Sequence, residues 1–123
     1  MKTLIASLTL ALLIVPCTAS TTNDTGHAKF SGVYRLYGGS LGDSVAPTRA
    51  DSKIMFAIHG DAARDMFNAM APDVRDECTA GSGIRMRKKN NENVVCIRSK
   101  QGAYSCNFGF DLKTGKSIGG ILC

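Results

Sequence analysis

The sequence predicts an α+β fold: a single small domain with a mainly antiparallel sheet of about five or six strands, one covering helix and two disulfides. Three observations predict it. Short apolar runs punctuated by glycine, asparagine and lysine turns fill the chain from Gly83 onward. One stretch, Asp61 to Met70, spaces its apolar residues as a helix does. Four cysteines, Cys78, Cys96, Cys106 and Cys123, lie in the later half of a chain that opens like an exported protein.

The opening is Met1-Lys2-Thr3, an apolar run from Leu4 to Val15, and then Pro16-Cys17-Thr18-Ala19-Ser20. One early lysine, a short apolar core and a small-residue site form a secretory signal pattern. The run falls short of the about 20 residues that span a bilayer. Residues 1–19 therefore read as a signal peptide, with the mature chain starting at Ser20. The expected location is the periplasm or the secreted medium. Lipid attachment through Cys17 is the less favoured alternative, because Pro16 precedes it where a small flexible residue is wanted.

Residues 20–30 show no apolar periodicity and read as a flexible leader; residues 31–123 form the domain. Gly32 to Leu36 is expected to be a strand closed by Gly38-Gly39, and Ser40 to Ser52 a loop. Lys53 to His59 is apolar at alternate and intervening positions, which predicts a central strand covered on both faces. Gly60 ends it, and Asp61 is the expected cap of the helix. Ala63, Met66, Phe67 and Met70 share one face of that helix, and Pro72 follows its end.

A meander comes next. Ile84 to Lys88 is a basic strand, and Lys89 to Glu92 a turn. Val94 to Ser99 is a strand, Lys100 to Gly102 a turn, and Tyr104 to Phe110 a strand. Lys113 to Gly115 is a turn and Ser117 to Leu122 the last strand. A three-residue turn at Lys100 to Gly102 sets Cys96 opposite Cys106, which predicts that bridge. Cys78 with Cys123 then completes the set. The rival pairing is Cys78 with Cys96 and Cys106 with Cys123, favoured by a one-residue shift in either turn.

Chemistry is thinly marked. No two cysteines stand in the close pairs a zinc site uses, so neither a metal nor a cofactor is expected. His27 and His59 are the only histidines. His59 is the one ordered candidate base, and no Gly-x-Ser-x-Gly elbow accompanies it. Asp73, Asp76 and Glu77 read as a solvated acidic turn, since the spacing of a calcium loop is missing.

The strongest surface signal is basic. Arg85, Arg87, Lys88 and Lys89 come within five residues, and Arg98 and Lys100 lie on the neighbouring strand. The chain carries a formal net charge of +5 and a pI near 9.1. Such a strand pair suits an anionic polymer or an acidic protein surface. It also suits a charged edge that blocks sheet-to-sheet association. Nucleic acid is not expected outside the cytoplasm, and no nucleic-acid motif is present.

Ser82-Gly83-Ile84-Arg85-Met86 resembles the inhibitory loop of exported bacterial lysozyme inhibitors, in which Ser-Gly is followed shortly by an aromatic residue. Met86 stands where tyrosine is usual, and the helix from Asp61 is foreign to those small disulfide-bonded β-proteins. The resemblance implies that Ser82 and Arg85 would enter an enzyme cleft. The expected function is thus a non-catalytic exported protein, of binding or inhibitor type, acting on another protein in the cell envelope. The alternatives are a binder of anionic polymers through the basic strand pair, and a small hydrolase using His59. No transmembrane span is expected.

Overall fold

The computed structural model describes residues 26–122. The leader cleavage site, Cys17 and Cys123 lie outside the described residues, as does most of the expected flexible leader.

Among the described residues seven strands make the sheet: β1 (Ser31–Gly39), β2 (Ser44–Val45), β3 (Lys53–His59), β4 (Arg85–Lys89), β5 (Val94–Arg98), β6 (Tyr104–Asp111) and β7 (Ser117–Ile118). Six run in the order β2-β1-β3-β6-β5-β4, and β7 pairs with β6. Every pairing is antiparallel. The α-helix α1 (Gly60–Ala69) and a short 3-10 turn (Glu77–Thr79) lie between β3 and β4. The α+β architecture is the one expected from the sequence.

The local signals work as their chemistry requires. Gly102 and Gly115 hold positive φ in the two turns that flank β6, the conformation that glycine adopts without steric cost. Asn90, Asn91 and Glu92 take the same region between β4 and β5; the two asparagines tolerate it well. The turn after Arg98 is closed by Ser99 and Ala103. Cys96 and Cys106 consequently face one another in register, 4.1 Å apart at Cα, and are bridged. The rival pairing is excluded. The expected Cys78–Cys123 link involves a residue outside the described residues.

Residues paired directly across antiparallel strands share a face. Ile58, Cys106 and Cys96 are such a row, and α1 packs on it. Ala63 and Phe67 of the helix and Met70 at its C-cap are buried with them. The apolar helical spacing therefore marks the core face correctly.

Its start differs from expectation. The helix begins at Gly60, His59 is the capping position, and His59 makes no side-chain cap bond. Asp61 instead pairs with Arg64, 2.8 Å away on the next turn. With Gly60 at φ +70, the chain turns into the helix one residue before the aspartate can cap it.

The opposite face holds a second buried set, including Tyr37, Met86, Val95 and Asn107. The chain end crosses this face. A Cβ on Gly120 would stand 2.5 Å from the Phe108 backbone nitrogen, so only glycine permits that crossing. Ile121 and Leu122 then line a hollow of about 190 Å³ with Met86, Val95 and Ile97. Ser117 to Leu122 is therefore strand only as far as Ile118; the Gly119-Gly120 pair converts the rest into a strap.

One expectation is corrected in the middle of the sheet. β3 is central, between β1 and β6, but it is not covered along its length on both faces. Of its residues only Ile58 is fully buried. A ten-residue helix is about 15 Å long. It covers the end of β3 near Ile58 and leaves the end near Ile54 and Phe56 to other neighbours.

Candidate functional site

The basic strand does not present a free cationic surface. Arg85 and Arg87 do point to one face of β4, as alternation requires, and both are drawn to Asp73. Arg85 Nε donates to Asp73 Oδ2 at 2.5 Å, and Arg87 Nε to Oδ1 at 2.6 Å. These bonds, from Arg85 first and Arg87 second, hold the Asp73 carboxyl down at about 2.

Arg87 also stands 4.1 Å over the Phe67 ring, and its Nη1 donates to the Phe67 carbonyl at 2.6 Å. α1 has no basic residue in its last turn. Its C-terminal end carries partial negative charge. The Phe67 carbonyl accepts from the Met70 amide at 3.1 Å, and Arg87 adds a second donor and a cation from another strand. Lys89 Nζ donates to the Ala71 carbonyl at 3.3 Å, just beyond the helix.

On the other face of β4, Lys88 is bonded to Asp76 and, at 2.9 Å, to Glu92. Those carboxylates raise the Lys88 pKa, and the Lys88 ammonium lowers that of Asp76. The acidic turn is thus more than solvated: Asp73 and Asp76 are counter-ions of the basic strand. Arg98 lies 5.9 Å over the Tyr104 ring. The Lys100 stem lies against Gly83, 3.4 Å from where a Cβ would be. Arg98, Lys100 and Lys89 remain the cations of this region without a carboxylate partner among the described residues.

The expected inhibitory loop is equally occupied. Ser82 Oγ donates to the Thr79 carbonyl at 2.6 Å and accepts from the Ile84 amide at 3.2 Å. Gly81 and Gly83 at positive φ fold these residues into a tight turn. Ser82 and Arg85 are brought close in sequence and space, but both are engaged within the fold.

His59 is exposed at the end of β3, with Ser31 and Ser105 as its cross-strand neighbours. No hydrogen bond joins the imidazole to either hydroxyl. Among the described residues no cluster of histidine, cysteine and carboxylate side chains is arranged to hold a metal ion.

A different surface stands out. On the helix-bearing face, Tyr34, Phe56 and Phe108 lie in one row across β1, β3 and β6, running outward from Phe108, which packs against the core under α1. Their ring centroids are 6.4 and 5.4 Å apart, the second pair stacked, and Phe110 meets Phe108 edge-on at 6.2 Å. Leu36 and Ile54 pair alongside. Tyr34 is 67% exposed, Leu36 47% and Phe110 38%.

Scattered exposed apolar residues are ordinary; a contiguous aromatic row rimming an uncovered sheet is not. Sequence reasoning missed this surface. The signal was present in the even-numbered positions: Tyr34 with Leu36, Ile54 with Phe56, Phe108 with Phe110. It needed the inter-strand register to become a surface. Among the described residues, no helix is long and apolar enough to cross a membrane. No protein-family model, curated protein or solved structure matches this chain significantly.

Proposed function

We propose that this is an exported, non-catalytic binding protein that acts on another protein of the cell envelope. Its contact surface is the aromatic row of β1, β3 and β6. The observation that carries the proposal is the exposure of Tyr34, Leu36 and Phe110 beside Phe56 and Phe108, on a sheet face that the helix leaves open. Aromatic rings supply large contact area at small entropic cost and dominate protein–protein interfaces.

The internal engagement of Ser82 and Arg85 moves the contact away from the 82–86 loop. The ion pairs of Arg85, Arg87 and Lys88 weaken the case for an anionic polymer. The Cys96–Cys106 bridge suits an oxidising compartment, which supports export.

The test is capture of partners from envelope extract on the immobilised, oxidised protein. Phe110→Ser is expected to weaken the captured complex at least about tenfold, as loss of a central aromatic contact does. Ser82→Ala with Arg85→Ala is expected to leave it within about twofold. A complex abolished by the Ser82 and Arg85 changes but indifferent to Phe110 would restore the loop. Binding of many polyanions that collapses with added salt would restore the basic strand pair.

A further inference from the structure

We propose that β1 is a self-association strand: a second copy of this chain pairs with it antiparallel, edge to edge, to make one continuous sheet.

The two edges of the sheet are built differently. At the β4 edge the strand is five residues long and carries four cations. Val74 also bridges to Met86 on its outer side, its amide donating to the Met86 carbonyl at 2.8 Å. Shortness, charge and cover are the means by which proteins block an edge.

The β1 edge has none of these along most of its length. β1 is nine residues long. β3 lies along one side, while β2 covers only Gly38 and Gly39 on the other. From Ser31 to Tyr37 no strand of the described residues lies on the outer side. Val33, Tyr34 and Leu36 are all exposed there. The one charge in the stretch, Arg35, is bonded to Ser44 of its own chain. A long apolar edge whose outward backbone donors and acceptors meet no strand among the described residues is a template for another strand.

Self-complementarity identifies the occupant. Two identical strands paired antiparallel are related by a two-fold axis, so one patch serves both copies. Centring that axis on Tyr34 pairs the exposed stretch Gly32 to Leu36 with itself. Tyr34 then meets Tyr34 of the second copy, and Gly32, which has no side chain, lies opposite Leu36. Val33 lies opposite Arg35, and the buried Tyr37 lies beyond the paired stretch. The axis stands perpendicular to the sheet, so like faces stay together. The row Phe108–Phe56–Tyr34 of one copy continues into Tyr34–Phe56–Phe108 of the other. The proposal rests on the open backbone edge and stands or falls apart from the partner-binding surface described above.

The test is sedimentation equilibrium of the oxidised protein alone, combined with two cysteine substitutions. A concentration-dependent monomer–dimer equilibrium is expected. Tyr34→Cys is expected to form a disulfide-linked dimer, because the axis brings the two Cα atoms to about 4.5–5.5 Å. Leu36→Cys, whose counterpart lies about 13 Å along the pair, is expected not to. Tyr34→Lys sets like charges opposite each other and is expected to raise the dissociation constant at least about tenfold, with an unchanged far-UV circular dichroism spectrum. A monomer at all concentrations up to about 1 mM would overturn the proposal. So would equal cross-linking at both cysteines, a dimer indifferent to Tyr34→Lys, or a monomer that takes up only an extended peptide of another protein along β1.

Discussion

Phe67 joins more of the fold than any other side chain of α1. It is buried, meets Tyr104 edge-on at 5.4 Å, lies under Arg87 and offers its own carbonyl to that guanidinium. Phe67→Ala removes the ring from both the core and the cation above it. The expected loss is about 3–5 kcal/mol, read as a shift in the urea midpoint at unchanged slope.

Asp73 gives a pH signature. Its folded pKa of about 2 lies below its ordinary 3.8. A depressed carboxyl contributes stability that is present above the ordinary value and is lost as pH falls through the folded one. Asp73→Asn is therefore expected to melt a few degrees below the parent at pH 7. That gap should close as pH falls from about 4 to about 2. A gap unchanged across this range would mean that the two arginines do not depend on the charge of Asp73.

At the scale of elements, the hairpins were the most legible part of the chain. Glycine and asparagine turns, and the period-two alternation of Tyr104, Cys106, Phe108 and Phe110, are local signals with local causes. They were enough to place Cys96 opposite Cys106. The helix was legible for the same reason, save for its first residue. The role of the basic strand was not legible. Arg87 answers a helix terminus that lies 20 residues away in sequence, and no local spacing encodes that meeting. The aromatic surface was hidden similarly, since it is assembled from three strands in register.

The chain-end strap makes its own prediction. Gly120→Ala sets a methyl against the Phe108 backbone, with no flexible side-chain tip to yield. It is expected to cost about 1–3 kcal/mol, as overpacking does. Gly81→Ala meets no atom within 4 Å and tests the separate cost of positive φ. Gly120 does not take positive φ, so a loss well under about 1 kcal/mol at Gly120 would show that the strap yields at the crossing.

At the scale of the whole molecule, one sheet carries two faces of different character. The face opposite the helix is crossed by the chain-end strap after Gly119-Gly120, which borders a hollow of about 190 Å³. The helix-bearing face is closed at one end and open at the other. The acidic turn pairs with Arg85, Arg87 and Lys88 at the far edge, leaving Lys89, Arg98 and Lys100 as its cations without a carboxylate partner among the described residues, and the uncharged aromatic end is the more distinctive feature of the surface. Composition alone favoured the opposite conclusion, because charge is counted by residue type and ion pairing is not.

β6 is the strand on which the rest of the sheet depends: it pairs with β3, β5 and β7. It is also among the last to be made. Lys53 waits for Asp111, and Ile58 for Cys106. In a chain that emerges from its amino end, β1 and β3 can pair with each other first, which leaves the other edge of β3 open. The partner of that edge, β6, arrives only when most of the polypeptide has followed. Contacts this distant in sequence close slowly. The order of emergence thus sets an interval in which the chain is most exposed to aggregation, and the open edge of β3 is present throughout it.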